Sequence, residues 1–510
     1  MMRFAARAFG AGLTAARDRA LLHGWSLIVF RKMVGGWLHV AAALLLCVLA
    51  GCQTTQVPMN TPLLKDAVGA PHYAPGYTLP AMLQARKDHV LLALAFSGGG
   101  KRSAAFAHGV LRGLKQMNVT EGGRTHPLLD DVTYIAAVSG GSFPAMHYGL
   151  FGNKSFETFE AEFLKRDINA FIWGIYLLPW NWEWVINPLF GTNDAMAAVY
   201  DRLMFHGATY GDLAKQGLPM ISVNATDIAG GISFPFNQTV FDLLCSDLST
   251  FPVARAVAAS NGFPILFSPV TITSFRRGCL GHPPPAAPPQ DWAAASDLSR
   301  RAVLARNAER YLDPERTHYV HLMDGGIADN LALRTLTNAL ISLDDDAVTL
   351  HRIASGTTRL IVISVDGQAA TNPTLGQQRV VTGLGQIFSA VSGTKIDSFN
   401  FETLLLATQQ VDKVTDTIRD IRCRTGGVAD GQDCRDVQGA LIHLSLADIQ
   451  DAETRQRLQA IPTGLTIPDA DVDALIAAGE RLVQTNPKLL SLVSDLDGRT
   501  AMPVAAAVTR

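Results

Sequence analysis

The sequence predicts an α/β fold. Three apolar runs of strand length carry this prediction, at residues 89–96, 132–138 and 319–323, and each ends in a glycine-containing turn. Helical spacing of apolar residues follows the first two turns.

The first turn predicts an anion-binding site. Its three consecutive glycines are Gly98, Gly99 and Gly100. Bare backbone N–H groups converge there at the positive end of the helix that follows. A nucleotide-binding loop is disfavoured because Arg102 separates Gly-Lys from the next hydroxyl residue, and because the glycines lack dinucleotide-type spacing. Two interpretations of this turn remain, an oxyanion-binding site and a simple tight turn.

The second turn has the pattern of a nucleophile elbow. Ser139 follows the strand, Gly140 and Gly141 come next, and a helix can start at Phe143. Such a turn lifts a serine hydroxyl clear of the sheet and needs small neighbours. The first glycine of Gly-x-Ser-x-Gly is Ala137 here, which is still small. Taken alone, a serine in this position can also be structural.

The third turn places an aspartate at the end of a strand. Asp324 precedes Gly325 and Gly326, and the carboxyl end of a strand lies on the edge where open α/β sheets bind their ligands. An aspartate in a turn can simply accept backbone hydrogen bonds. Its occurrence after a glycine-rich loop and an elbow serine favours a catalytic role.

Together the three units resemble the patatin-like phospholipases. The family pattern is a glycine-rich oxyanion loop with a basic residue, then Gly-x-Ser-x-Gly, then Asp-Gly-Gly. Residues 98–102, 137–141 and 324–326 follow it in the same order. The resemblance covers residues 90–340 and implies a three-layer α/β/α sandwich with a central, mostly parallel sheet and a nucleophile elbow.

The resemblance also implies a catalytic dyad. Ser139 would be the nucleophile and Asp324 the base, with the oxyanion held by the three glycines of the first turn. Arg102 would support the loop or attract a phosphoryl head group. A histidine base is disfavoured, because His108 and His147 lie two helical turns past the glycines and the serine. No cofactor is expected.

The first 51 residues differ from the rest of the chain in their charge and hydrophobicity. They hold six basic residues and one acidic residue, and a short apolar run ends in Leu-Ala-Gly before Cys52, which resembles a bacterial lipobox. We expect a signal peptide at residues 1–51 and lipidation of Cys52. An uncleaved anchor helix or a buried helix is the alternative. Gln53, in place of aspartate, resembles lipoproteins that are sorted to the outer membrane, and this resemblance implies a location at the outer membrane, facing the periplasm.

We predict three further segments after the signal. Prolines interrupt residues 52–88, which we expect to be a tether. Residues 89–340 form the catalytic core, and residues 341–510 extend the same α/β unit. That extension holds strand-like runs at 359–365 and 440–446 and a helix at 469–482.

Export would allow disulfides to form. Cys423 and Cys434 flank a loop rich in glycine and aspartate and are expected to pair, which leaves Cys245 and Cys279 as a second possible pair. No metal site is predicted, because no Cys-x-x-Cys or histidine pair has ligand spacing.

Charge excludes nucleic acid as the main partner. The chain has 43 basic and 45 acidic residues; without residues 1–51 these become 37 and 44, a net charge of −7. No basic excess is available to neutralise phosphates.

Residues 171–186 contain four of the seven tryptophans. They form either a buried helical hairpin bent at Pro179 or a cap that contacts acyl chains or the bilayer interface.

The predicted function is an envelope-anchored lipid acyl hydrolase acting on phospholipid or lysophospholipid. Another lipid esterase or an acyltransferase with the same dyad is an alternative. A catalytically silent lipoprotein with a binding or envelope role is another. The sequence predicts no particular protein partner.

Overall fold

The computed structural model describes residues 59–66, 69–73, 76–85, 89–121, 123–182, 191–217, 219–264, 266–285, 287–289, 291–292, 299–368, 384–424, 434–494 and 496. The predicted signal peptide and Cys52 lie outside these residues. Within them, no helix has the length and apolar character needed to cross a bilayer.

The described residues form twelve strands and seventeen α-helices. The strands are β1 (Thr61–Pro62), β2 (Val90–Phe96), β3 (Asn118–Glu121), β4 (Arg124–Pro127), β5 (Val132–Val138), β6 (Met220–Asp227), β7 (Ile232–Pro235), β8 (Ser246–Asp247), β9 (Val270–Thr273), β10 (Tyr319–Met323), β11 (Arg359–Asp366) and β12 (Gln438–Ser445). The helices are α1 (Leu79–Met82), α2 (Gly100–Gln116), α3 (Ser142–Phe151), α4 (Ser155–Phe159), α5 (Ile168–Leu177), α6 (Thr192–Tyr200), α7 (Tyr210–Gln216), α8 (Gln238–Leu243), α9 (Val253–Ser260), α10 (Arg300–Leu312), α11 (Gly326–Asp329), α12 (Leu333–Asp345), α13 (Ala347–Ala354), α14 (Leu384–Arg424), α15 (Ala452–Gln459), α16 (Asp469–Gln484) and α17 (Pro487–Val493).

Eight strands form one central sheet in the order β12-β11-β2-β5-β6-β10-β9, with β7 also paired to β6. The five strands from β12 to β6 are parallel. Strands β7 and β10 each pair antiparallel with β6, and β9 pairs antiparallel with β10. Strands β5, β6 and β11 are buried along their whole length. The continuous apolar runs in the sequence reflect this burial on both faces, and the predicted mostly parallel sheet is confirmed.

Helices cover both faces of the sheet. The connections β2–α2–β5 and β5–α3–β6 step along the sheet in one direction, whereas β11–α14–β12 steps in the other. Because such crossovers are right-handed, α2 and α3 lie on one face and α14 on the opposite face. The chain therefore forms the predicted three-layer α/β/α sandwich.

The C-terminal part packs directly against the helix that follows the glycine-rich turn. Helix α16 lies along α2, and the contact is so close that a Cβ on Gly109 would overlap the backbone of Ile476. Strands β11 and β12 occupy the same sheet as β2. The C-terminal elements thus hold α2 in place. The boundaries at residues 51, 88 and 340 stay predictions.

The described part of the predicted tether is docked on the core. Strand β1 pairs with β8, and the Asn60 amide donates to Ser246 Oγ and to the Thr273 carbonyl. Tyr77 is buried, and its hydroxyl accepts from the Ile221 N–H. Prolines limit regular secondary structure but do not prevent side chains from packing in this way.

Candidate active site

Ser139 lies at a sharp turn between β5 and α3. Its φ is 49°, in the left-handed region that non-glycine residues rarely adopt. A short 3₁₀ turn at Ser139–Gly141 leads directly into α3. Such a conformation costs of order 1–3 kcal/mol and persists only where the surroundings fix it. The arrangement has the form of a nucleophile elbow.

The glycines beside Ser139 allow two turns to pack backbone to backbone. A Cβ on Gly140 would overlap the backbone of Gly100, and one on Gly141 would lie 2.8 Å from the carbonyl oxygens of Phe96 and Ser97. Ala137 is fully buried, and its methyl group is accommodated. The departure from glycine at position 137 therefore leaves the elbow intact.

Asp324 is the hydrogen-bond partner of the elbow serine. Ser139 Oγ donates to Asp324 Oδ2 at 2.9 Å, and the Gly326 N–H donates to Asp324 Oδ1 at 2.8 Å. Burial raises the pKa of the Asp324 carboxyl to about 6, and the bonds from Gly326 and Ser139 oppose that rise. A carboxylate that is ionised at neutral pH but close to its pKa is suited to proton transfer.

Asp324 reaches this edge of the sheet by a route that the sequence did not predict. Strand β10 is antiparallel to β6, and only its last two residues pair with β6, Leu322 with Asp227 and Met323 with Thr226. It therefore approaches the carboxyl edge of the parallel strands from outside and ends there. The expected placement is correct, but the reasoning from a parallel strand was wrong for β10.

Two residues at the C-terminal end of α9 fix the position of Ser139. The Ser139 N–H donates to Ser260 Oγ at 2.8 Å. The Asn261 side-chain amide donates to the Ser139 carbonyl at 3.0 Å and to Ser142 Oγ at 3.1 Å, and its oxygen lies 3.3 Å from Ser139 Oγ. Sequence reasoning gave neither residue a role, because nothing near them in the chain points to Ser139.

The glycine-rich turn lies directly over the serine. A Cβ on Gly98 would lie 3.3 Å from Ser139 Cβ. The Gly98 N–H donates to the Asn330 carbonyl at 2.9 Å, so it is engaged within the fold. Gly99 and Gly100 have φ values of 139° and 61°, and α2 begins at Gly100. Of the three predicted oxyanion glycines, these two stand at the positive end of a long helix.

The sequence of this domain matches a known family. Residues 94–337 match the family model of the patatin-like phospholipases. The matched residues make up slightly less than half of the chain and are similar to that family.

Two solved structures show a distant similarity to the chain. The chain is similar to human GIVD cytosolic phospholipase A2, at 12% identity and a TM-score of 0.42, over 82% of this chain and 65% of that one. A second structure of that enzyme, in complex with a methyl gamma-linolenyl fluorophosphonate inhibitor and terbium chloride, matches at 13% identity and a TM-score of 0.37, over 82% and 62%. The chain thus spans less than two thirds of the length of these proteins. No curated protein matches it.

The basic residues of the glycine-rich turn are buried and hydrogen-bonded within the fold. Arg102 donates to the carbonyls of Gly367 and Ile461 and to Thr463 Oγ1. Burial lowers its pKa to about 10, which leaves it charged at neutral pH. These contacts fit the predicted role in supporting the loop, whereas a side chain 1% exposed is not placed to attract a head group.

Neither histidine near the turns is hydrogen-bonded to Ser139. His108 lies beside Phe156 and Phe159, and burial lowers its pKa to about 3. His147 pairs with Ser155 Oγ and Glu162 Oε2.

One group of possible metal ligands lies in the described part of the chain. Atoms of Glu121, His126 and Asp131 lie within 4.8 Å of one another, and His126 Nε2 is 3.0 Å from Asp131 Oδ1. Spacing rules missed it because the β3–β4 hairpin brings these residues together. Asp131 precedes β5 and Ser139 follows it, so about 23 Å of strand separates the group from the serine.

The four cysteines after Cys52 form two disulfides. Cys423 is joined to Cys434 and Cys245 to Cys279, with Cα atoms 5.0 and 6.2 Å apart.

Proposed function

We propose that the chain is a phospholipase A or lysophospholipase that cleaves carboxylic esters through a Ser139–Asp324 dyad. The observation that carries the proposal is the 2.9 Å hydrogen bond between Ser139 Oγ and Asp324 Oδ2, made at an elbow with positive φ. The family of the domain indicates a lipid ester as substrate.

The dyad would work in two steps. In the first, Ser139 Oγ attacks the ester carbonyl while Asp324 takes its proton; the ester C–O bond breaks, and the leaving alcohol takes the proton from Asp324. In the second, a water molecule gives a proton to Asp324 and its oxygen attacks the acyl-enzyme. The fatty acid leaves, and the proton returns to Ser139 Oγ.

The negative charge on the carbonyl oxygen needs donors that are already in place. The N–H groups of Gly99 and Gly100, at the start of α2, would supply them, since Gly98 is engaged with Asn330. One such donor is worth about 10²–10³ in rate. The contacts of Arg102 with Gly367 and Ile461 would keep this loop rigid.

We also propose attachment to the bacterial envelope through a lipid on Cys52, with the domain in the periplasm at the outer membrane. The lipobox-like sequence supports this, and two disulfides are compatible with an oxidising compartment.

A fluorophosphonate activity probe tests the enzyme proposal. The wild type should be labelled, and Ser139→Ala should not, because the probe bonds to an activated serine Oγ. Ser491→Ala, which alters an exposed serine on α17, is the control and should label normally. A folded wild type that resists the probe would favour the non-catalytic alternative.

A further inference from the structure

We propose that α5 and the turn after it form a surface that docks on a phospholipid bilayer. We call this surface the aromatic apron; its members are Phe171, Trp173, Leu177, Leu178, Trp180 and Trp182. Large apolar side chains are strongly exposed here, with Trp173 at 61%, Leu177 at 66% and Trp180 at 72%. Residues 168–182 contain no charged side chain. A contiguous exposed patch of this kind marks a contact site.

The apron is held with its apolar face outward. Ile168 and Ile175 are the buried side of α5. The Asn181 amide donates to the Gly174 carbonyl at 3.0 Å, and the Trp182 indole N–H donates to the Tyr176 carbonyl at 3.1 Å. These bonds fold the turn back on the helix. The alternative of a buried hairpin is therefore wrong for the described residues.

The apolar surface continues from the apron to the candidate dyad. Tyr176 Oη donates to the carbonyl of Leu266, whose side chain is exposed, as is that of Phe263. The neighbouring Gly262 carbonyl accepts from the Asp324 N–H at 3.0 Å. A bilayer lying on the apron would therefore present its esters close to Ser139.

The N-terminal end of the described chain emerges on the same side. Arg255 Nη1 contacts Met59 Sδ and pairs with Asp194, in the first turn of α6, at 2.6 Å. Thr192, at the start of that helix, donates to the same Leu266 carbonyl that Tyr176 reaches. The seven residues from Cys52 to Pro58 precede Met59 and span at most about 25 Å. A lipid on Cys52 would hold the apron close to the membrane.

These features favour a bilayer over a protein as the occupant. Tryptophan is enriched at the membrane interface, where its ring sits at the level of the head groups. The apron lacks the charges that fix register with a protein partner. The choice rests on the proposed function, since a lipid hydrolase must meet its substrate in a membrane.

Tryptophan quenching tests whether the apron enters the bilayer. The full chain carries Trp25→Phe and Trp37→Phe, so that its N-terminal segment gives no signal, and is mixed with vesicles that contain dibrominated phosphatidylcholine. Trp292 is buried and should be insensitive, so quenching reports residues 173–184. We expect strong quenching and a blue-shifted emission.

The test variant is Phe171→Ser with Leu177→Ser, which keeps every reporter tryptophan. Both quenching and hydrolysis of vesicle phospholipid should fall about tenfold or more, because two apolar anchors are lost. Hydrolysis of a short, water-soluble ester should stay within twofold, which also shows that the variant folds. The matched control, Val348→Ser with Leu490→Ser, removes exposed apolar residues from α13 and α17 and should behave as the wild type.

The outcomes separate this inference from the proposed function. An unquenched wild type, or equal quenching in both double variants, overturns the docking surface. Quenching in a wild type that hydrolyses neither ester supports the apron and overturns the enzyme. Loss of soluble-ester hydrolysis in the test variant alone would place the apron in the catalytic pocket instead.

Discussion

At the scale of single residues, the burial of Asp324 predicts the pH dependence of the reaction. Its pKa is raised to about 6, and only the ionised form can accept the proton of Ser139. Activity should therefore increase with pH through about 6 and level off above it, with kcat/KM at pH 5 about tenfold below the plateau. A short soluble ester, assayed between pH 4.5 and 8.5, gives this profile without effects of the lipid surface.

A second carboxylate provides the control for that profile. Asp329 is also buried, with its pKa raised to about 6, but it accepts from the N–H groups of Arg334 and Thr335 at the start of α12. Asp329→Asn should keep the pH profile, whereas Asp324→Asn should lower kcat about 10²–10⁴-fold. Retained activity in Asp324→Asn would instead support the alternative that a histidine is the catalytic base.

At the scale of elements, the contact between the two glycine turns predicts a sharp sensitivity to one methyl group. In Gly140→Ala the new Cβ would overlap the backbone of Gly100, which cannot move without shifting the start of α2. We expect kcat/KM to fall at least about 100-fold, since a misplacement of ~1 Å is enough for that. Stability should fall by about 1–3 kcal/mol, measured by denaturant unfolding.

Gly174→Ala is the matched control for that substitution. Its nearest neighbour would be Leu178 Cδ1 at 3.7 Å, an ordinary contact, and alanine favours the helix. It should leave the hydrolysis of a soluble ester unchanged. Near-normal activity in Gly140→Ala would contradict the close packing of the two turns.

The elements also show which information the sequence holds locally. Strands β2, β5 and β11 lie almost where the apolar runs predicted them. A strand that is buried on both faces has a continuous run of apolar residues, which can be recognised from the local sequence. Helix α2 begins at Gly100, four residues before the point where the spacing of apolar residues indicates a helix. The direction of β10 and the distant acceptors of Arg102 depend on long-range pairing, which local pattern does not encode.

At the scale of the whole molecule, the docked segment after Met59 would limit the distance between the domain and a membrane under the proposed lipidation of Cys52. Strand β1 and the side chains of Asn60 and Tyr77 fix this segment to the core. The remaining link to Cys52 is only seven residues long. Two disulfides, a net charge of −7 without residues 1–51 and this short link are together compatible with an exported enzyme held close to a bilayer.

Lipidation of Cys52 is the remaining prediction at this scale. In a bacterial host fed a labelled fatty acid, the wild type should take up label and lose residues 1–51, because small residues precede the cysteine at the expected cleavage site. Cys52→Ala should remain unlabelled at its full length. Cys47→Ala changes the neighbouring cysteine in the same apolar run and should be labelled as the wild type. The mass of the purified protein distinguishes these forms directly. Label that persists in Cys52→Ala would place the lipid elsewhere, and a full-length, unlabelled wild type would favour the uncleaved anchor helix.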